Sequence, residues 1–250
     1  MPVLITGATG VVGRALAARL LAEGGQVRAY LRRDDAALRA AGAHVALGET
    51  CAVERLESAA TQVHTLVHLV GGAWPPPGSS YDLLNRESAE CAAIAARAAG
   101  VRRIIMLSTP GADPDSPNPF LASRGAAERH VIEAGCEHAI FRTTPIAETL
   151  PRLFARTTGR VGATAIPRGS TRPVALADVV EAIVAADARE AEVRGVYDLM
   201  GPEELTWREV LRRWPPEGRS GGVVGRLPRE LAEALADPPL DEARRFGPAR

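Results

Sequence analysis

The segment VLITGATGVVGRALAARLLAEG, residues 3–24, runs from an apolar strand through three glycines into an alanine- and leucine-rich helix. Gly7, Gly10 and Gly13 are spaced G-x-x-G-x-x-G at that junction. A strand that feeds a helix so abruptly begins a crossover unit, in which the next strand runs parallel to the first. The alternation continues. Further strands are predicted at 27–31, 44–47, 65–70, 103–107 and 138–142, with helices at 11–23, 35–41, 53–60, 82–99 and 120–134. This pattern predicts a Rossmann-like doubly wound α/β fold, its parallel sheet covered on both faces. Such sheets take ligands beyond the carboxyl ends of their strands. The long loops 71–80, which holds Pro75-Pro76-Pro77, and 109–119 belong there.

The second half is less regular. A helix is predicted over 174–188, entered through Asp178, then a strand over 195–199 and a helix over 206–214 capped by Thr206. A Pro/Gly/Ser-rich connection at 215–225 leads to a short amphipathic tail. The expected division is a core at 1–145 and a small C-terminal substrate lobe at 146–250, intertwined with the core.

With 250 residues, 46 % of them hydrophobic, the chain can bury one large α/β domain plus a small appendage. Formal net charge is zero, so no global field recommends nucleic acid or an anionic membrane. Charges interrupt every apolar run, so no integral membrane segment is expected. A strand begins within a few residues of Met1, leaving no room for a signal peptide. Cys51, Cys91 and Cys136 are scattered, which fits a reducing, cytoplasmic setting rather than a disulfide framework. All 30 basic residues are arginine, so an arginine where lysine is usual carries less information here.

Glycine permits positive φ and close approach of the backbone to a pyrophosphate, whose charge the helix N-terminus stabilises. At the first strand-to-helix turn, this pattern is the dinucleotide-binding fingerprint. An NAD site places an acid near the end of the second strand. Here that end reads Tyr30-Leu31-Arg32-Arg33, with Leu31 at the acidic position. The missing acid and the added arginines point to NADP over NAD, since arginine suits a 2′-phosphate. The bland alternative is that Arg32 and Arg33 are solvated loop charges.

TGATGVVG, the run Val67-His68-Leu69-Val70-Gly71, Asn85, Leu107-Ser108-Thr109 and AARAAGVRRIIMLS resemble the short-chain dehydrogenase/reductase superfamily. AAERHVIEAG, Ile140-Phe141-Arg142, Arg172-Pro173-Val174 and PEELTWREV extend the resemblance over nearly the whole chain. Within the superfamily the chain is most similar to the atypical, NmrA-like branch, which includes the nucleotide-binding accessory subunit of respiratory complex I. The resemblance implies that Gly7, Thr9, Gly10, Val12 and Gly13 line the pyrophosphate and that Arg32, with Arg33 beside it, meets the 2′-phosphate. It also implies that Val70 and Gly71 pass under the adenine ribose. Relatives commonly carry Asp near adenine where this chain has Glu49, which departs from the pattern.

Active relatives carry Tyr-x-x-x-Lys at the start of the helix after the fifth strand, where the spacing puts both side chains on one face. The phenol moves the proton that accompanies hydride transfer, and the lysine holds the nicotinamide ribose. The matching stretch here is Phe120-Leu121-Ala122-Ser123-Arg124. Arg124 supplies a fixed positive charge in place of lysine. Phe120 has no exchangeable proton. The candidate catalytic residues are therefore Ser108, Thr109 and Arg124, with Phe120 replacing the usual tyrosine.

Two function classes follow. One is an NADP(H)-dependent reductase of non-standard mechanism, acting on a quinone or another small electrophile that needs no protein acid. The other is a non-catalytic NADP(H)-binding redox sensor or accessory subunit. A sugar-nucleotide epimerase fits less well, because it needs the missing tyrosine and a larger C-terminal domain. Tyr81 and Trp74 flank the proline loop and either reach the cleft or anchor the loop. Trp207 and Trp214 read as core or interface. Cys136-Glu137-His138 lacks usable ligand geometry, so no metal is expected, and no G-x-S-x-G elbow is present. The sequence points to no partner protein.

Overall fold

The computed structural model describes residues 2–156, 167, 169–215, 231, 234 and 235. The predicted connection and tail otherwise lie outside the described residues. Seven parallel strands form the main sheet in the order β3-β2-β1-β4-β5-β6-β8. They are β1 (Val3–Thr6), β2 (Val27–Leu31), β3 (His44–Leu47), β4 (Thr65–His68), β5 (Arg103–Ser108), β6 (Glu137–Thr143) and β8 (Arg194–Leu199). Two short strands, β7 (Ser170–Thr171) and β9 (Leu205–Thr206), pair antiparallel to each other outside it. The order reverses between β1 and β4, so the ligand crevice of such a sheet opens above those two strands.

Every residue of β1 and β4 is buried, as expected of central parallel strands covered on both faces. Helices α1 (Val11–Ala22) and α7 (Leu176–Asp187) bury Leu16, Leu20, Val179 and Ile183 with Ile5, Val67 and Phe141 on one face. On the other, α3 (Val53–Ala60), α4 (Ser88–Ala98) and α5 (Pro119–Glu133) pack over Leu4, Leu66, Ile104 and Ile140. Ala89, Ala92, Ala95 and Ala96 let α4 lie close to the sheet. Helix α2 (Ala36–Ala40) connects β2 to β3 and is capped by Asp35, whose carboxylate accepts from Leu38 N.

Four elements differ from the sequence reading. The helix expected over 82–99 opens as a π-helical turn, Asp82–Glu87, before α4 takes ordinary winding. Helix α6 (Leu150–Arg156) was not foreseen, because a short apolar segment after a proline gives little periodic signal. The strands β7 and β9, two residues each, were missed for the same reason. Thr206 does cap α8 (Trp207–Arg213), in a reciprocal capping box with Glu209.

Chain beyond residue 145 serves two places. Helix α7 and strand β8 complete the main sheet layer. Leu150, Phe154, Leu205, Trp207, Val210, Leu231 and Leu235 instead form a separate apolar cluster around Phe120 of α5. Trp207 is wholly buried there, its indole N–H donating to Leu235 O at 3.3 Å. Among the described residues, no helix is long and apolar enough to cross a membrane.

Candidate functional site

The glycine turn is fixed by contacts that leave no space for side chains. Gly7 takes φ +75°, and a Cβ there would stand 2.8 Å from the Leu69 carbonyl carbon. A Cβ on Gly13 would stand 2.5 Å from Gly7 O. The first glycine thus lets the end of β1 meet the chain leaving β4, and the third lets α1 press against the turn. Gly10 caps α1 without a side-chain hydrogen bond, and Gly10 N donates to Gly7 O at 3.0 Å. Thr9 and Gly10 are exposed and Val12 is half-buried, so the helix N-terminus opens outward over the turn. This tight turn, with an exposed helix N-terminus above it, fits a pyrophosphate. A nicotinamide dinucleotide bound there would be the source of hydride for any redox step.

At the end of β2, Leu31 is buried in the sheet core, so the position that would hold an NAD-type acid is committed to packing. Arg32 and Arg33 are exposed and form no ion pair among the described residues. Arg14 instead takes the nearby acid, Asp35, at 2.5 Å. Glu49 is exposed in the turn after β3, and its carbonyl accepts from Tyr30 Oη at 2.9 Å. Val70 is half-buried and Gly71 exposed beyond β4.

The strongest convergence surrounds Gly71. A Cβ on that residue would meet Arg124 Nη1 at 2.5 Å and Asn85 Oδ1 at 3.1 Å. Asn85, held by the π-helical turn, accepts from Gly72 N at 2.8 Å and donates to Gly72 O at 3.2 Å and Ser123 Oγ at 3.0 Å. Arg124 donates to Asn85 Oδ1 at 3.4 Å and to Leu107 O. Burial pushes its guanidinium down to about 10, opposed by Glu128, so it stays cationic at neutral pH. A guanidinium has five N–H donors, and these bonds use two of them. The π-helical turn, a feature that often marks functional sites, was invisible in the sequence although Asn85 itself was noted.

Beneath this group lies His68, at the end of β4. Its Nδ1 is 2.9 Å from Thr6 Oγ1 and its Nε2 is 3.4 Å from Ser88 Oγ. Ser88 Oγ spends its own proton on Leu84 O at 2.7 Å. The imidazole is therefore assigned as the Nε2–H tautomer, accepting from Thr6. Burial, assisted by the charge on Arg124, holds it down to about 3.

Two hydroxyls close to the catalytic stretch, those of Ser108 and Tyr81, are engaged within the protein. Ser108 is buried and donates to Glu128 Oε1 at 2.5 Å. Both oxygens of Glu128 also accept from Arg142, at 2.9 and 2.6 Å. Tyr81 stacks at a tilt on Phe120, ring centroids 5.5 Å apart, and gives its proton to Ala73 O at 3.1 Å. Phe120 is buried in the apolar cluster with Leu150, Phe154 and Trp207, and Trp74 packs against that cluster. Thr109 is half-buried beside Ser108. The sequence missed the Ser108–Glu128–Arg142 chain, whose only trace was the spacing of Glu128 four residues after Arg124. Among the described residues, no group of three His, Cys, Asp or Glu side chains could hold a metal ion.

Comparison with known proteins agrees with this geometry. A family profile described as NAD(P)H-binding matches residues 7–188. A curated relative, NADH dehydrogenase [ubiquinone] 1 alpha subcomplex subunit 9, mitochondrial, of Arabidopsis thaliana, is 27% identical over 256 residues. That match takes in 94% of this chain and 62% of the relative, so the chain spans about three-fifths of that relative's length. NADPH-dependent quinone oxidoreductase QOR2 of Escherichia coli, solved with NADPH, superposes with a TM-score of 0.69 at 23% identity. The superposition covers 94% of this chain and 86% of that one. MoeE5, solved with UDP-glucose and NAD, gives a TM-score of 0.70 at 19% identity, covering 90% and 84% of the two chains. These structures share the Rossmann-like fold, and their cofactors include both NADPH and NAD. The chain belongs to the NAD(P)H-binding family, in keeping with the likeness its motifs bear to atypical, NmrA-like short-chain dehydrogenase/reductases.

Proposed function

We propose that the protein is an NADP(H)-binding module that holds the dinucleotide for sensing or assembly and carries out no acid-assisted carbonyl reduction. One observation carries this reading: the place of the usual acid is taken by a phenylalanine, and the Ser108 and Tyr81 hydroxyls near it are committed. Phe120 offers none, Ser108 gives its proton to Glu128, and Tyr81 gives its proton to Ala73 O. The packing of Phe120 under Leu150, Phe154 and Trp207 supports it further. In this reading Gly7, Thr9, Gly10, Val12 and Gly13 cradle the pyrophosphate. Arg32 and Arg33, exposed and without an acid, take the 2′-phosphate. Glu49, Val70 and Gly71 border the adenosine side, and spare donors of Arg124 hold the nicotinamide ribose.

A second reading has its own support. Arg124 keeps its charge and donors beside Gly71, and Thr109, which follows Ser108 in the chain, is only half-buried. A bound reduced cofactor could then pass hydride to an acceptor that takes its proton from water, as a quinone does. The test is a titration with NADPH and NADH, followed by single-turnover absorbance with ketones, aldehydes and quinones. Tight, NADPH-selective binding without turnover is the expected result. Quinone-dependent oxidation would favour the second reading, and ketone-dependent oxidation would overturn both.

A further inference from the structure

Cys51 and Cys91 play no part in the nucleotide reading, yet the fold brings them together. Cys51 lies in the turn after β3, exposed, with its thiol donating to Glu87 O at 3.5 Å. Glu87 lies one helical turn before Cys91. Helical side chains lean towards the N-terminus, so the Cys91 thiol projects back over that same turn. The Cys51 thiol and Cys91 therefore meet on the same turn at the start of α4. The turn that carries Cys51 is fixed on both sides, because Tyr30 Oη donates towards Glu49 O at 2.9 Å and Ala52 O at 3.5 Å. Cys51 is thus presented to α4 by its backbone.

We propose that Cys51 and Cys91 are a redox pair that closes reversibly into a disulfide when the protein meets a hydroperoxide. Cys51 gives its proton to water and, as thiolate, attacks the terminal peroxide oxygen; an S–O bond forms, the O–O bond breaks, and the leaving oxygen takes up a proton from water to depart as alcohol or water. Cys91 then attacks the sulfenic sulfur, forming the S–S bond as the S–O bond breaks, and its proton departs with the hydroxyl as water. Cys51 is oxidised first. Burial, then the neighbouring Cys51, push the Cys91 thiol up to about 12, which leaves it protonated until the second step. Cys136 lies elsewhere and stays a thiol.

The pair is tested by treating the full-length protein with hydrogen peroxide at neutral pH and mapping its peptides without reduction. The expected product has lost two hydrogens, carries a 51–91 linked peptide and returns to the starting mass with dithiothreitol. Cys91→Ser should instead accumulate a sulfenic acid at Cys51 that dimedone traps, while Cys136→Ser should form the linkage normally. Far-UV circular dichroism confirms that each variant is folded. Oxidation of Cys51 straight to sulfinic acid in the wild type, or linkage through Cys136, would overturn the proposal.

Discussion

Two arginines are buried at opposite ends of the parallel strands, and they are bonded in opposite ways. Arg103 opens β5 and has no exposed surface. It donates to Glu137 at 2.6 and 3.1 Å, to Ala186 O at 2.6 Å, to Asp187 O at 2.8 Å and to Arg189 O at 2.9 Å. A cation thus closes the carbonyl end of α7, with a carboxylate on its other side. Arg124, at the opposite end, has one carbonyl, one amide oxygen and no direct carboxylate contact among the described residues. Burial has lowered its guanidinium to about 10. A buried charge whose donors are fully used is a structural pin. One with donors to spare carries a cost that a ligand can relieve.

The largest expected effect tests that contrast through stability. Arg103→Ala should cost about 3 kcal/mol or more, because it leaves the last carbonyls of α7 without their buried donor and Glu137 with Arg102 as its remaining cation. Arg124→Met should cost less than about 1 kcal/mol in the unliganded protein, since it removes a poorly compensated charge. Urea unfolding of both variants measures the difference, and equal losses would break the comparison.

Acid provides the second test. His68 takes a proton near 6.5 when unfolded but only at about 3 in the folded protein. The unfolded state therefore binds more protons between those values, and stability falls as pH drops through that window. The loss should be about 2 kcal/mol between pH 7 and pH 5. It should shrink in Arg124→Met, because the guanidinium is the second cause of the shift. Denaturant unfolding at several pH values checks both expectations; an unchanged acid loss in the variant would separate His68 from Arg124.

How far these contrasts could be read from sequence follows from the range of the interactions. The glycine turn and the first six strands show plainly, because spacing and alternation are local. Thr206 with Glu209 was half-visible: the cap was expected, and the reciprocal box was found in the structure. Arg103 gave no sign of its burial, since a charge at the first position of a strand ordinarily reads as solvated. Its partners are Glu137 and the end of α7, far along the chain. Ser108 looked available for catalysis until the fold brought Glu128 and Arg142 to it. The π-helical turn also escaped, as its composition matches that of an ordinary helix.

A smaller effect belongs to the other end of the dinucleotide. Arg32→Ala should weaken NADPH binding about tenfold and leave NADH binding unchanged, since only the former carries the 2′-phosphate. Parallel fluorescence titrations resolve this, and equal losses for the two nucleotides would remove Arg32 from the 2′-phosphate. Arg103→Leu, at the far end of the strands, should alter neither affinity in whatever fraction remains folded.

The central claim is that Arg124 is buried for the sake of a ligand. The most direct measurement is calorimetric titration of NADPH into wild type and Arg124→Met, with the thermal midpoint of each unliganded protein recorded alongside. Affinity about 10-fold or more weaker in the variant, at a nearly unchanged midpoint, is the predicted result. Unchanged affinity with a steep fall in the midpoint would make Arg124 a second structural pin and contradict the claim.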